Sequence, residues 1–453
     1  LALQGDGVGR ITAAGNEKGK VAFVPYTLPG ETIRAEKIIE KKTYGRWLPE
    51  EIVRSSPDRI KPSCPYHFQP DPKGIWCGGC NWQHFPVEKQ REAKKRLVSE
   101  TLGRLGGFAD LPEIDLIYVD DRWRYRNNVQ IAFGSRGDTI ISGFRAPDSH
   151  EIVDIDDCLL QSSASVRIFN NIRQTARVLG FTPYERHKDR GWLKHLLIRS
   201  SETGNVLVIL VTRNARFPEQ KKFLQLIASQ CPEVVSIYQN LQPVTSKVIT
   251  GPQWIHLWGE IKLEENLCGL RLNYSPGAFF QVNTKAASLL YQKAIQEAEI
   301  EPGMTVLDLY CGVGGLTLMA AQYAEQVIGV DEFSPAIADA KDNARENGVA
   351  NVTFFTSPVE EFLRQGISSV CSSSESLIAI LDPPRAGCRS EVIDRLLSLA
   401  PRRIIYVSCD PATLARDLKV LSVKYQVSTL TVVDLFPQTA HIETIARLDK
   451  KEA

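Results

Sequence analysis

The chain has 453 residues, 43% hydrophobic and 24% charged, which suits a globular protein of two or three separately cored domains. No uncharged apolar stretch approaches the roughly 20 residues that span a bilayer, and no signal peptide is visible. A cytoplasmic protein with no membrane partner is therefore expected. The net charge of +1 hides an asymmetry: residues 1–280 carry 38 Lys+Arg against 31 Asp+Glu (+7), and residues 281–453 carry 16 against 22 (−6). A basic front half suits a polyanionic partner.

In chain order, the segments 9–12, 20–24, 31–39 and 47–54 read as short strands separated by turns at 15–19 and 28–30. That spacing suggests a small β-barrel of the oligonucleotide-binding kind over 1–56. A Pro-, Gly- and Cys-bearing loop follows over 57–84, then a Lys/Arg-rich helix over 87–105. A central α+β region extends to 268, with strands at 129–133, 140–144, 196–199 and 206–212 and helices at 162–179 and 219–230. From 269 to 453 helices alternate with apolar strands, the pattern of a doubly wound, Rossmann-like α/β sheet. The Ser-rich piece 368–376 reads as a surface loop.

Three motifs in the last region sit at predicted strand ends, where open α/β sheets bind ligands. In the first, the strand Val306-Leu-Asp308-Leu-Tyr310 runs into Cys311-Gly312-Val-Gly314-Gly315-Leu-Thr317, a glycine turn opening a helix. Glycines there admit a ligand to the backbone, and a helix N-terminus favours an anionic group. Asp331 ends the next strand and can bind vicinal ribose hydroxyls. The turn departs from the dinucleotide fingerprint, with Thr317 at the sixth position and an acid before the loop, and resembles motif I of S-adenosylmethionine-dependent methyltransferases. The second motif is Leu381-Asp382-Pro383-Pro384-Arg385, and the third is Ser408-Cys409-Asp410-Pro411 after the apolar run 403–407.

The Asp-Pro-Pro loop is similar to that of enzymes methylating exocyclic amines, but those usually carry an aromatic residue where Arg385 stands and need no cysteine. Uracil C5 does need one, because a thiolate added at C6 makes C5 a carbon nucleophile. A base must then take the C5 proton, and Glu443 in Thr439-Ala-His441-Ile-Glu443 is the candidate.

Together Gln281-Val-Asn283, Asp308 to Gly315, Asp382-Pro-Pro-Arg385, Ser408-Cys409-Asp-Pro and Phe436-Pro-Gln-Thr-Ala-His-Ile-Glu443 resemble the RNA (uracil-5-)methyltransferases of the RumA/TrmA family. The front end, Gly5-Asp-Gly-Val-Gly9 through Phe23 to Gly30, resembles the TRAM barrel of the RumA branch, and Tyr125-Arg126-Asn127-Asn128 a motif of its middle domain. The resemblance implies S-adenosylmethionine as cofactor, Cys409 as nucleophile, Glu443 as base and Asp382 as a uracil contact close to the cofactor. It also implies Gln281, Tyr310, Gly312, Gly315 and Asp331 as cofactor contacts, Phe279 packing on a flipped base, and Arg126 on RNA. His441 is read as a packing or hydrogen-bonding neighbour.

Cys77 and Cys80 have the C-x2-C spacing of a metal centre, and Cys64 and Cys158 complete a set of four. Zinc and a [4Fe–4S] cluster both fit four cysteines, and the resemblance implies the cluster. Twelve residues separate Cys64 from Cys77, more than the family's usual gap, so part of 65–76 would loop out. The other cysteines are read as structural. The target base must be flipped or unpaired to reach a sheet-end cysteine. The basic helix 89–104, Trp123 and Tyr125 are expected to supply RNA backbone and stacking contacts. The expected substrate is 23S ribosomal RNA, acted on by a monomer, with the T-loop of transfer RNA as the alternative. An exocyclic-amine N-methyltransferase and an RNA-binding iron–sulfur protein with a dead catalytic domain are rival classes. Loss of Cys409 would spare the first, and the second would methylate no RNA.

Overall fold

The computed structural model describes residues 1–12, 19–69, 74–244, 248–365 and 374–452. The turn at 15–19, the 65–76 loop and the Ser-rich piece fall partly outside them. At the front, the strands Gly7–Arg10, Val21–Val24, Thr32–Glu40 and Tyr44–Arg54 form one sheet in which Tyr44–Arg54 lies between Val21–Val24 and Thr32–Glu40. Three register shifts interrupt the long pair Thr32–Glu40/Tyr44–Arg54, and such bulges curl a small sheet toward a barrel.

The central region is a seven-stranded sheet in the order Gln253–Gly259, Val234–Leu241, Val206–Thr212, Leu193–Ser200, Asn128–Arg136, Thr139–Arg145, Ile152–Asp154. Helices Ser163–Val178 and Gln220–Gln230 cover one face. The other face presents Leu197, Leu207, Ile209 and Val211 to the C-terminal region, where they share a core with Leu290 and Leu316. Every residue of Val206–Thr212 is buried for that reason; a strand covered on both faces is a continuous apolar run.

The C-terminal region holds an eight-stranded sheet in the order Val352–Thr356, Gln326–Asp331, Thr305–Leu309, Leu377–Leu381, Arg403–Ser408, Glu443–Lys450, Tyr425–Asp434, Ile114–Tyr118. Its helices alternate with strands as the sequence pattern predicts. Two features depart from a sheet of consecutive parallel strands. Glu443–Lys450 is antiparallel to both neighbours. The edge strand Ile114–Tyr118 comes from far upstream and pairs in parallel with Tyr425–Asp434.

Helix Val87–Thr101, which leads into that edge strand through a π-turn at Leu102–Gly106, packs beside helix Pro411–Leu421. For two cations of the basic helix 89–104 the structure departs from the expected RNA backbone contacts. Arg91 and Lys94 are buried and both bond Asp434, Arg91 at 3.0 Å and Lys94 at 2.7 Å. Buried cations need partners, so these two serve the fold and not a phosphate. No helix among the described residues is long and apolar enough to cross a membrane.

Candidate active site

Strand register brings the central pair together. Ser408 stands opposite Thr444 in the antiparallel pair, so the next positions outward are Cys409 and Glu443. Cys409 leaves its strand through a tight turn in which the Asp410 amide donates to the Ser408 hydroxyl at 3.2 Å. Asp410 then caps helix Pro411–Leu421, its carboxylate accepting from the amides of Ala412 at 2.8 Å and Thr413 at 3.2 Å. An Asp cap followed by proline at the first helical position is a strong helix start, and it leaves the thiol at the sheet's edge. Asp382 follows the neighbouring strand Leu377–Leu381, and its amide donates to the Leu309 carbonyl at 3.3 Å.

The three side chains share one field. Burial pushes the Cys409 thiol up to about 12, and Glu443 adds to the rise while Arg385 opposes it. Burial, with Asp382 second, holds the Glu443 carboxyl well above the usual carboxylate range. Burial, helped by Asp308, lifts Asp382 to about 7. Such mutual perturbation in a cleft is what acid–base sites show. Arg385, the departure from the aromatic pattern, donates to His441 Nδ1 at 2.7 Å. Desolvation and Arg385 lower His441 to about 4, so it is a neutral hydrogen-bonding neighbour.

The glycine loop adjoins this site. Tyr310 and Gly312 take positive φ of 71° and 53°, and the Tyr310 amide donates to the Val330 carbonyl at 2.9 Å. A non-glycine residue in that region is strained and concentrates at functional turns. A Cβ on Gly315 would come within 2.8 Å of Tyr291, so only glycine fits without moving that ring. Asp331 accepts from the amides of Gly312 at 3.0 Å and Phe333 at 2.8 Å, which ties the loop to the end of the next strand. Beneath it Asp308 is buried; Thr317 donates to one carboxylate oxygen at 2.5 Å and the other has no partner among the described residues. Burial raises Asp308 to about 7. An orphaned buried oxygen needs an explanation such as a ligand donor. Gln281 is buried, its carbonyl accepting from Asn127 Nδ2 at 2.9 Å. Tyr291, which sequence reading missed, is raised by burial and by Asp382 and Asp308 and bonds Gln281.

The turn that delivers Glu443 is held from outside the C-terminal region. Gln90 accepts from the Gln438 amide at 2.8 Å, and the Trp82 amide donates to the Gln438 carbonyl at 3.0 Å. Lys94 donates to the Phe436 carbonyl at 3.0 Å, Tyr125 to that of Pro437 at 3.0 Å, and Asn81 accepts from the Ala440 amide at 3.0 Å. Tyr125 is thus committed to this turn, which leaves Trp123 as the candidate stacking residue. Nothing in local sequence marks these residues, because each acts across 300 or more residues.

Cys64, Cys77, Cys80 and Cys158 line one cavity of about 530 Å³, and Arg126 and Phe279 line it too. Phe279 is 66% exposed. Burial lifts Cys77 to about 12 and holds Cys80 well above the usual thiol range; Cys158 and Cys64 add to both, and Cys77 adds to Cys80. Buried Gln83 donates to Cys80 Sγ at 2.9 Å and accepts from the Cys64 amide at 3.1 Å. Among the described residues no three His, Cys, Asp or Glu side chains form a group that could hold a metal ion. Arg126 makes no side-chain hydrogen bond or ion pair among the described residues, and it lowers the pKa of both Cys158 and His441. It therefore lies between the cysteine cavity and the sheet-end site.

The glycine loop, the acid-ended strand and the sheet order define a class of protein, the Rossmann-like methyltransferases. Comparisons narrow the class. A family model described as tRNA (Uracil-5-)-methyltransferase matches residues 262–451. Proteins described as uncharacterized RNA methyltransferases are similar over nearly the full length: one from Halalkalibacterium halodurans is 36% identical, covering 100% of this chain and 95% of the relative. Another from Listeria monocytogenes serotype 4b is 35% identical, covering 99% and 95%. Among solved structures, the Pyrococcus abyssi tRNA (uracil-54, C5)-methyltransferase in complex with S-adenosyl-L-homocysteine shares 27% identity and a TM-score of 0.73, over 98% of this chain and 100% of that one. The chain belongs to the RNA (uracil-5-)methyltransferases, a family of S-adenosylmethionine-dependent enzymes.

Proposed function

We propose that the protein methylates C5 of a specific uridine in 23S ribosomal RNA through a covalent bond between Cys409 and uracil C6. The observation that carries this reading is the pairing of Cys409 and Glu443 at opposed strand ends, with Asp382 in the same field. Bound S-adenosylmethionine supplies an electrophilic methyl group. The orphaned Asp308 oxygen, the Gly312–Gly315 turn, Tyr310, Gln281 and Asp331 fit a ligand with a cationic amine and ribose hydroxyls. The Cys409 thiol gives up its proton to solvent, Sγ bonds to C6 and the C5–C6 π electrons move to C5, while Asp382 polarises the ring. After C5 is methylated, Glu443 takes the C5 proton, the ring electrons return, and the C6–S bond breaks. Phe279 packs against the extracted base and Arg126 contacts RNA between the two cavities. Residues 1–56 bind RNA, 57–268 carry the cysteine site and 269–453 carry catalysis.

Cys64, Cys77, Cys80 and Cys158 hold a [4Fe–4S] cluster in this reading. Their convergence on one cavity supports a shared centre, and the family resemblance favours the cluster over zinc. Transfer RNA is the second reading, favoured by the likeness to the Pyrococcus enzyme. Labelled S-adenosylmethionine with separated ribosomal and transfer RNA, followed by mapping of 5-methyluridine, tests both. Product in transfer RNA alone overturns the ribosomal assignment, and no 5-methyluridine in either overturns the mechanism.

A further inference from the structure

A second cavity of about 530 Å³ opens in the central region, on a wall that includes Arg136, Arg145, Arg186, Lys188 and Lys194 against Glu151 and Glu185, five cations to two acids or +3. Glu185 is already engaged by Lys188 at 2.6 Å and Arg190 at 3.7 Å. Arg136, Arg145 and Arg186 pair with no carboxylate among the described residues. Arg145 and Arg186 instead converge on one imidazole, at 3.0 Å from His150 Nδ1 and 2.8 Å from Nε2, and the ring can accept from only one of them at a time. Arg186 foremost, then desolvation and Arg145, lowers the His150 pKa, as expected beside guanidinium groups that no carboxylate offsets. Lys194, buried, lies 4.2 Å over the Tyr184 ring and donates to the Val244 carbonyl at 2.9 Å, which stiffens the floor.

The position of this cleft says what it holds. Ala132 and His195, opposite each other in the pair Asn128–Arg136/Leu193–Ser200, line it. Asn128 and Arg199, opposite each other in the same pair, line the cysteine cavity with Phe279 and Arg126. The two sites are four residues apart along one strand, on the order of 13 Å, and on the same sheet face because the separation is even.

We infer that this cleft binds the sugar–phosphate backbone of the substrate RNA at a point remote from the methylated base, with Arg145 and Arg186 as its phosphate contacts. Paired guanidinium forks with no acid suit phosphate oxygens. The inference rests on the RNA-methylating reading and extends the footprint beyond the target loop, so a short stem-loop bearing the uridine does not reach the cleft.

The test is binding, without cofactor, of unmodified ribosomal and transfer RNA transcripts to the wild type and to Arg145→Glu/Arg186→Glu. Between about 50 and 200 mM salt, the slope of log K against log salt should become shallower by about 1.5, two phosphate contacts' worth. Binding should fall at least tenfold at the lower salt, while methylation of a short uridine stem-loop holds. Unchanged slope and affinity for both transcripts overturns the inference, and so does an equal loss on the stem-loop. If the Glu pair lowers the melting temperature, Arg145→Gln/Arg186→Gln is read the same way. A wild type that binds these RNAs but makes no 5-methyluridine sinks the functional reading alone, since the binding slope still judges the cleft.

Discussion

Two groups of thiols in this molecule have raised pKa values, and they are built in opposite ways. Cys409 is one thiol at a strand end, faced by carboxylates and tempered by Arg385. The set of Cys64, Cys77, Cys80 and Cys158 is gathered from loops, and its members raise one another. Under the proposed function, the first arrangement keeps the nucleophile protonated beside its base until a substrate changes the field. The second suits thiolates only if a cationic centre neutralises them. Regular strand register suffices for the first, whereas the second depends on long-range packing.

The sharpest break in that contrast is Cys409→Ala, which should lower 5-methyluridine formation by on the order of 10⁴-fold or more. Cys80→Ala should leave measurable turnover in whatever protein folds. Next, Glu443→Gln should slow turnover about 10³-fold and accumulate a covalent protein–RNA species, seen as a denaturation-resistant band. Absence of that band would remove Glu443 from proton abstraction.

A pH series probes Cys409 in the free protein. With its thiol near 12, alkylation of Cys409 should rise tenfold per pH unit from 7 to 9, about a hundredfold in all, as thiolate accumulates below its pKa. Peptide mapping by mass spectrometry follows it. Arg385→Ala, which removes a cation, should slow alkylation at every pH.

Lys94→Ala leaves Asp434 buried without its 2.7 Å partner and should destabilise by about 3 kcal/mol, checked by urea unfolding. The smallest expected effect belongs to Gln90→Ala. Loss of its bond to the Gln438 amide should loosen the Glu443 turn and cut turnover about tenfold, near the cost of one hydrogen bond to a buried group. Some covalent species should build up, with KM for RNA unchanged; a rise in KM alone would argue against a positioning role.

Sequence by itself determined most of what is local. The alternation of helix and apolar strand from 269 onward, the glycine turn at 312–315 and the strand 206–212 were all legible, because each follows from short-range periodicity or turn chemistry. So was the candidacy of Cys409 and Asp382, each at the end of an apolar run, and of Glu443, from the need for a late carboxylate or histidine. Tertiary structure alone decided that Glu443 faces Cys409, because an antiparallel strand inserted among parallel ones sets that register. It also turned Arg91 and Lys94 inward, from expected phosphate contacts to partners of Asp434, a switch that charge composition cannot signal. The edge strand 114–118, the bonds of Asn81, Gln90 and Tyr125 to the turn before Glu443, and the Arg145–His150–Arg186 cleft lay equally out of reach. Each depends on groups whose separation in space bears no relation to their separation in the chain.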